Sequence, residues 1–323
     1  QLLLDHSERI EMNTRTNNGW TGFMITCQKG HKDVIKLLLD HSERIDLNAR
    51  TNNGWTALML ACWNGHKDVV QLLLNNSEKI EVNASDNYGR TAFMYACSKD
   101  NVNVVQLLLD HSNIIDLNAR DDNGWTAFMR ACLNGLNDLV QLLLNYSDII
   151  ELNVRCDSGQ TAFMNACQYG HKDVVQLLLN NSERIELNVR SGDNGWTAFM
   201  WACLKGLNNI VQLLLNYSDI INLNARDNNG FTGFMLAVGH KDVVKLLLDH
   251  SDRIELNVRA NRGQTAFMNA CYHGLRDVVE LLLDHHSGIE FNARDNSGRT
   301  AFMLACQRGH EDIVQLLESK INL

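Results

Sequence analysis

An all-α repeat solenoid is the fold class this sequence predicts: stacked helix-turn-helix units carrying projecting β-hairpin or loop fingers. Three observations predict it. A methionine marker returns at Met24, Met59, Met94, Met129, Met164, Met200, Met235, Met268 and Met303, at intervals of 35, 35, 35, 35, 36, 35, 33 and 35 residues. Each marker lies in a short apolar block, and most blocks are followed by a second helix-period run of the type Val-Val-x-Leu-Leu-Leu. Between units stand Asn- and Gly-rich stretches of the kind that make tight turns. A fixed period in this range marks units that bury their apolar faces only by stacking on neighbours.

Within the unit "TALMLACWNGHKDVVQLLLNNSEKIEVNASDNYG", Thr56 stands where an N-cap belongs and Gly65 where the first helix should stop. After Gly65, the residues Val69, Val70, Leu72, Leu73 and Leu74 fall at helical spacing, and Asp68 sits in the first turn, where the helix dipole favours a carboxylate. The stretch from Glu78 to Gly89 completes the unit as a loop or narrow hairpin. On this register the chain is a single array. It has a half repeat at 1–15 and repeats at 16–50, 51–85, 86–120, 121–155, 156–190, 191–226, 227–259 and 260–294. A partial capping repeat occupies 295–323, where Glu318 replaces the third leucine. The opening "QLLLDHSERI" reads as the second half of a unit, so the sequence is expected to begin inside a longer protein.

Helix, turn, helix and finger at this period resemble the ankyrin repeat family. Its pattern D-x-x-G-x-T-P-L-H-x-A-A-x-x-G-H-x-x-V-V-x-L-L-L is met by Gly54, Thr56, Leu58, Ala61, Gly65, His66, Val69, Val70 and Leu72 to Leu74, with equivalents along the whole chain. The resemblance implies a curved solenoid that binds partners on its concave side, through the fingers and the inner face of the first helices.

Three departures from that pattern carry expectations. With no proline in the chain, Ala57, Ala92, Gly22 and Gly233 open the first helices, and methionine replaces the family's histidine, so the polar link of that histidine to the threonine is expected to be lost to packing. The segment "NNSEKIEVN" is longer than the family's link and should bulge or extend the second helix. The seventh unit, "FMLAVGHKDVV", has lost two residues and its cysteine, which predicts a shortened first helix and a local twist defect.

Bulk properties narrow the function. Acids outnumber bases 38 to 29, for a formal charge of -9, so a sequence-independent grip on nucleic acid is disfavoured and none is expected. No apolar run approaches the roughly 18 residues of a membrane span. Eight of nine cysteines (Cys27, Cys62, Cys97, Cys132, Cys167, Cys203, Cys271, Cys306) share one repeat position and read as small buried hydrophobes, with Cys156 the exception. Without a CxxC pair, they point to reduced thiols in a cytoplasmic compartment. Delivery of the chain into a host cell is compatible with this composition. Signatures of catalysis or phosphate binding (GxGxxG, GxxxxGK[ST], HExxH, GxSxG) are absent, so no enzyme, metal or cofactor is expected. The histidines and the first-turn aspartates fall on framework positions. An arginine ladder (Arg15, Arg50, Arg120, Arg155, Arg190, Arg226, Arg259, Arg294) is expected to pair with acids such as Asp121, Asp227 and Asp295.

The informative letters are those that break the repeat. The position after the finger glycine reads Trp20, Trp55, Arg90, Trp125, Gln160, Trp196, Phe231, Gln264 and Arg299. The position after the marker reads Ile25, Leu60, Tyr95, Arg130, Asn165, Trp201, Leu236, Asn269 and Leu304. Trp63, Tyr169 and Tyr272 lie just beyond the Ala-Cys pair and Tyr88 at one finger tip. All six tryptophans therefore occupy variable positions, whereas a core is built from constant ones. The candidate partner-binding residues are Trp20, Trp55, Trp63, Tyr88, Arg90, Tyr95, Trp125, Arg130, Tyr169, Trp196, Trp201, Phe231 and Tyr272, since Trp, Tyr and Arg dominate interface energetics. The function expected is a scaffold, monomeric by expectation, that binds a protein or peptide. The alternative is a structural spacer or targeting array of a larger channel, enzyme or pathogen effector.

Overall fold

The threonine before each marker block does what its position predicts. In all nine first helices, from Thr21 and Thr56 to Thr265 and Thr300, its hydroxyl accepts the backbone N–H of the marker methionine three residues on. Losing one such cap costs about 1 kcal/mol. Helices of seven or eight residues, too short to persist alone, thus start at a fixed residue and rely on stacking for the rest. In the repeat of Met59 the thioether is not purely a packing group: the Thr56 N–H approaches Met59 Sδ at 3.5 Å, which restores part of the polar link expected to be lost.

The computed structural model describes residues 11–285 and 288–321. The expected half repeat falls mostly outside these, and Leu2, Leu3 and Leu4 wholly so. The chain forms two compact units, Gln1–Asp157 and Ser158–Leu323.

In the first unit the leading helices are α1 (Gly22–Lys29), α3 (Ala57–Trp63), α5 (Ala92–Ser98) and α7 (Ala127–Leu133). The trailing helices are α2 (Lys32–Leu39), α4 (Lys67–Leu74), α6 (Val102–Asp110) and α8 (Asn137–Asn145). Leading helices stack on leading helices and trailing on trailing. In the second unit α9 (Ala162–Tyr169), α11 (Ala198–Leu204), α13 (Gly233–Leu236), α15 (Ala266–Tyr272) and α17 (Ala301–Arg308) lead. Behind them run α10 (Lys172–Asn180), α12 (Asn208–Leu215), α14 (Lys241–Leu248), α16 (Arg276–Asp284) and α18 (Glu311–Ile321). The shortened helix expected in the seventh unit is present: α13 has four residues and runs into a 3-10 turn at Ala237–Gly239.

The core is made of the constant letters. Phe128, Phe163, Phe199, the paired valines and eight of the nine markers are buried. The exceptions lie on α17, against which, among the described residues, a single leading helix packs. Its Phe302 and Met303 are 38% and 49% exposed, and Cys306 is exposed, against the expectation that all eight equivalent cysteines are buried.

The links after the trailing helices extend the helix by one residue in α6, α8, α10 and α16, form a short 3-10 helix at Ser42–Arg44 after α2, and elsewhere form turns. A constant asparagine clamps them across repeats. Asn83 Nδ2 donates to Ile114 O at 2.8 Å while its Oδ1 accepts the Asp116 N–H at 2.8 Å, and Asn48, Asn118, Asn224 and Asn257 do the same one repeat apart. Each clamp ties two backbone groups of one link to the side chain of the link before it. The turn histidines join neighbours likewise: His66 Nε2 donates to Gln28 O at 2.8 Å and His240 Nε2 to Leu204 O at 2.8 Å.

The fingers are tight turns rather than paired strands. Among the described residues the only β-type pairing is an isolated bridge between Ser85 and Thr91. In one finger the Thr51 N–H donates to Trp55 O at 3.0 Å and Gly54 N–H to Thr51 O at 2.8 Å. Gly54 is required there: its φ is +83°, and a Cβ would stand 2.5 Å from Asn87 Oδ1 of the next finger. The arginine ladder departs from expectation. Arg15 and Arg120 donate to the carbonyls of Arg50 and Arg155 at 3.2 and 2.8 Å, and Arg226 to that of Arg259, while Arg15 and Arg120 also pair with Asp46 and Asp157, acids other than those expected, and Arg190 and Arg294 donate to Gly195 O and Gly298 O of their own fingers. Asp121, Asp227 and Asp295 have other partners.

Candidate interaction surface

Those partners are the variable residues. The first residue of the finger turn is Asp86, Asp121, Asp227 or Asp295 in four repeats, each buried. One carboxylate oxygen takes backbone N–H groups of the turn, as Asp86 Oδ1 does from Tyr88 and Arg90, both at 2.9 Å. The other oxygen takes a side chain from a variable position. Tyr95 Oη and Arg90 Nε donate to Asp86 Oδ2 at 2.5 and 2.9 Å, Arg130 Nη2 pairs with Asp121, Trp196 Nε1 donates to Asp227 Oδ2 at 2.9 Å, and Arg299 Nε to Asp295 Oδ2 at 2.9 Å.

Burial works to raise the Asp86 pKa, but the Tyr95 and Arg90 donors and the two backbone N–H groups outweigh it and hold the carboxyl below its usual range. Burial, with the Asp86 hydrogen bond, pushes the Tyr95 phenol well up. The tyrosine therefore stays a donor.

On this frame the first unit assembles a cluster of rings. Trp55, at the finger, lies with its centroid 4.2 Å from Tyr95 on α5 and 5.5 Å from Trp63 at the end of α3. Trp63 and Tyr95 meet edge to face at 5.4 Å. Lys99 Nζ stands 3.9 Å above Trp63, and Arg90 Cζ lies 4.7 Å from the Tyr88 ring and 5.1 Å from Tyr95. Trp20, Trp55 and Trp63, with the amides of Asn18, Asn53 and Asn64, border a groove of about 690 Å³.

The second unit has a smaller pair. Trp196 and Trp201 meet edge to face at 4.6 Å. Further on, Phe231 and Tyr272 border a groove of about 410 Å³ with Gln264, Asn269 and Arg299, and Arg308 Cζ lies 4.7 Å from the Tyr272 ring.

The predicted residues thus divide. Tyr88 and Tyr169 are exposed, at 59% and 57%. Trp20, Trp55, Trp63, Trp125, Trp196, Trp201, Phe231 and Tyr272 are half-buried. Tyr95 corrects the expectation of a free ring: at 2% exposure it forms the floor beneath Trp55 and Trp63. Arg90 and Arg130 are half-buried and engaged by aspartates. Sequence reasoning did not single out Lys99 or Asp86, and it assigned Asp121, Asp227 and Asp295 to the arginine ladder rather than to the variable face. The signal for the aspartates was present, since an Asp stands four residues before Arg90, Trp125, Phe231 and Arg299, where other fingers use Thr16, Thr51 or Ser191 as acceptor.

A family model described as ankyrin repeats, in three copies, matches residues 1–86, 77–155, 113–191, 130–224, 183–260 and 252–323, which together span the chain. The chain belongs to the ankyrin repeat family. Ankyrin repeats are generally protein-protein interaction modules and typically non-catalytic. No curated protein matches this chain. Among the described residues of this ankyrin array no helix is long and apolar enough to cross a membrane.

Proposed function

We propose that this ankyrin array is a scaffold that holds a protein or peptide partner on the aromatic face of its leading helices and fingers. One observation carries the reading. Trp55 and Trp63 occupy positions the fold leaves variable, are only half-buried, and border a groove with Tyr88 beside it, leaving ring area that a partner could remove from water. The rings are also braced by Tyr95 and its bond to Asp86, so little order would be lost on binding. Cysteines buried singly at one repeat position, as Cys27, Cys62, Cys97 and Cys132 are, favour a reducing compartment such as the cytoplasm. The test is an affinity pull-down with the intact chain and with a Trp63→Ala/Tyr88→Ala variant, each checked for an unchanged helical spectrum. A partner retained by the intact chain and lost by the variant supports the reading, and equal retention by both rules out this face.

A further inference from the structure

We propose that the segment held on this face in the first unit is acidic: an extended peptide with carboxylates next to apolar side chains. The proposal rests on the reading above and adds the chemistry of the partner.

Charge is segregated in this chain. Four positions per repeat form the variable face: the residue after the finger glycine, the residue after the marker, and the two that end the leading helix. Over nine repeats, with two residues deleted in the seventh, these are 34 positions, of which Leu60, Tyr95, Asn165 and Leu304 are buried, and none carries a carboxylate. Composition alone (34 positions × 38 acids in 323 residues) would place roughly four there. In the first unit the same face holds Lys29, Arg90, Lys99 and Arg130. A chain of formal charge -9 therefore presents a cationic, acid-free surface just where its rings gather. Asp86 and Asp121 lie beneath it, engaged with Tyr95, Arg90 and Arg130. Asp100 and Asp122 stand at its margin in turns.

Lys99 is the clearest receptor. It is exposed, stands over Trp63, and pairs with no carboxylate among the described residues, as is also true of Lys29. A peptide carboxylate meeting Lys99 would set its neighbouring apolar side chain against Trp55 and Trp63. Asn18 and Asn53 border the same groove. The charges of Arg90 and Arg130 are already balanced by aspartates, which leaves two full cations in this unit's face. That is too few for a phosphate backbone, whose affinity grows with each phosphate neutralised, but it suits a peptide with one or two acids.

The experiment uses the full chain, immobilised, against a displayed library of random dodecapeptides. The enriched pool should be net negative, with aromatic or aliphatic residues beside Asp or Glu. Selected peptides should bind at least tenfold more weakly to a Lys29→Glu/Lys99→Glu variant, and peptides with their acids replaced by lysine should recover binding to that variant. A neutral or basic pool, or an acidic pool indifferent to the charge reversal, overturns the proposal. If such a pool is still lost on Trp63→Ala/Tyr88→Ala, the aromatic reading stands and only the charge inference falls. No enrichment at all overturns both. Displacement of the selected peptides by a 20-mer oligouridine, with tight binding of that oligomer, would replace the acidic peptide with a single-stranded nucleic acid.

Discussion

Tyr95 donates its phenol O–H to Asp86 across 2.5 Å, nine residues back in the chain, while the same carboxylate oxygen takes Arg90 and the other holds the turn N–H groups of Tyr88 and Arg90. One buried acid thus fixes a finger, a cation and the floor of the ring cluster. Asp86→Ala leaves a phenol, a guanidinium and two backbone donors without their acceptor. Because Arg90 is still reached by water, the expected loss is about 2 kcal/mol rather than the full penalty of a buried orphan charge. Tyr95→Phe removes one bond and should cost about 1 kcal/mol. Urea titrations of the two variants check both the order and the size. Equal midpoints for both variants and the parent would show that the acid does not organise the finger.

The same contact makes part of the stability acid-sensitive. Asp86 is held below the ordinary carboxylate range in the folded chain, as is Asp295, where Arg299 and two turn N–H groups outweigh burial. A carboxyl depressed by folding contributes stability that is complete above its unfolded pKa, about 3.9, and is lost as pH falls through the folded value. Melting temperature should therefore be flat with respect to these groups near neutrality and drop below about pH 4. In an Asp86→Asn/Asp295→Asn variant the chain should be less stable at pH 7 yet lose less between pH 5 and pH 2. Parallel pH profiles for variant and parent would refute the linkage.

Thiol chemistry separates the end of the array from its body. Burial pushes the thiols of Cys27 and Cys271 up to about 12 and those of Cys62, Cys97, Cys132 and Cys203 higher still, so neither access nor ionisation favours reaction. Cys306 is exposed. Ellman's reagent should label about one thiol per chain rapidly at pH 8 and all nine after denaturation, and Cys306→Ser should abolish the fast phase. Several fast thiols in the native chain would contradict the burial.

The period, the caps and the stacked core were legible because each is set by local chemistry repeated nine times: Thr before the marker, Gly in the turn, leucines at helical spacing. The division of the rings was not. Whether Tyr95 faces out or down depends on an acceptor nine residues away, and nothing in the periodicity says that Asp86 turns inward to meet it. The arginine ladder misled for the opposite reason. Sequence proximity to acids suggested Asp121, Asp227 and Asp295 as partners, whereas Arg15 and Arg120 reach Asp46 and Asp157 and, 35 positions along, the carbonyls of Arg50 and Arg155, neighbours invisible to local reading. Lys99 was overlooked because one lysine at a helix end carries no pattern. Only the ring beneath it gives it meaning.

The seventh repeat should be the array's softest. Its leading helix α13 keeps four residues and its cap, then passes into a 3-10 turn whose hydrogen bonds are poorer. Fewer helical bonds protect its amides than protect the seven-residue helices beside it, so exchange from about 234 to 240 should outpace that in α11 and α15. Restoring Cys-x by inserting two residues after Ala237 should slow it. Uniform exchange across the three helices would mean that packing, not helix length, sets local stability.

One turn offers a direct gain. The residue that ends the leading helices is a left-handed glycine in Gly30, Gly65, Gly135, Gly170, Gly206, Gly274 and Gly309, but Asp100 holds the same place with φ +57°. A side chain in that region pushes its Cβ toward the backbone carbonyl, a cost of about 1 kcal/mol that glycine escapes. Part of this returns as the greater entropy of glycine in the unfolded chain, so Asp100→Gly should stabilise by roughly 0.5 kcal/mol, a rise of one or two degrees in Tm for an array of this length. The substitution also removes a carboxylate beside Lys99. If the ring face takes acidic segments, the same variant should bind a selected acidic peptide more tightly at low salt, with the gain disappearing at high salt as screening grows. A stability gain without tighter binding would show that Asp100 lies outside the reach of Lys99's field. Tighter binding in a chain no more stable would place the aspartate's cost in recognition rather than in the turn.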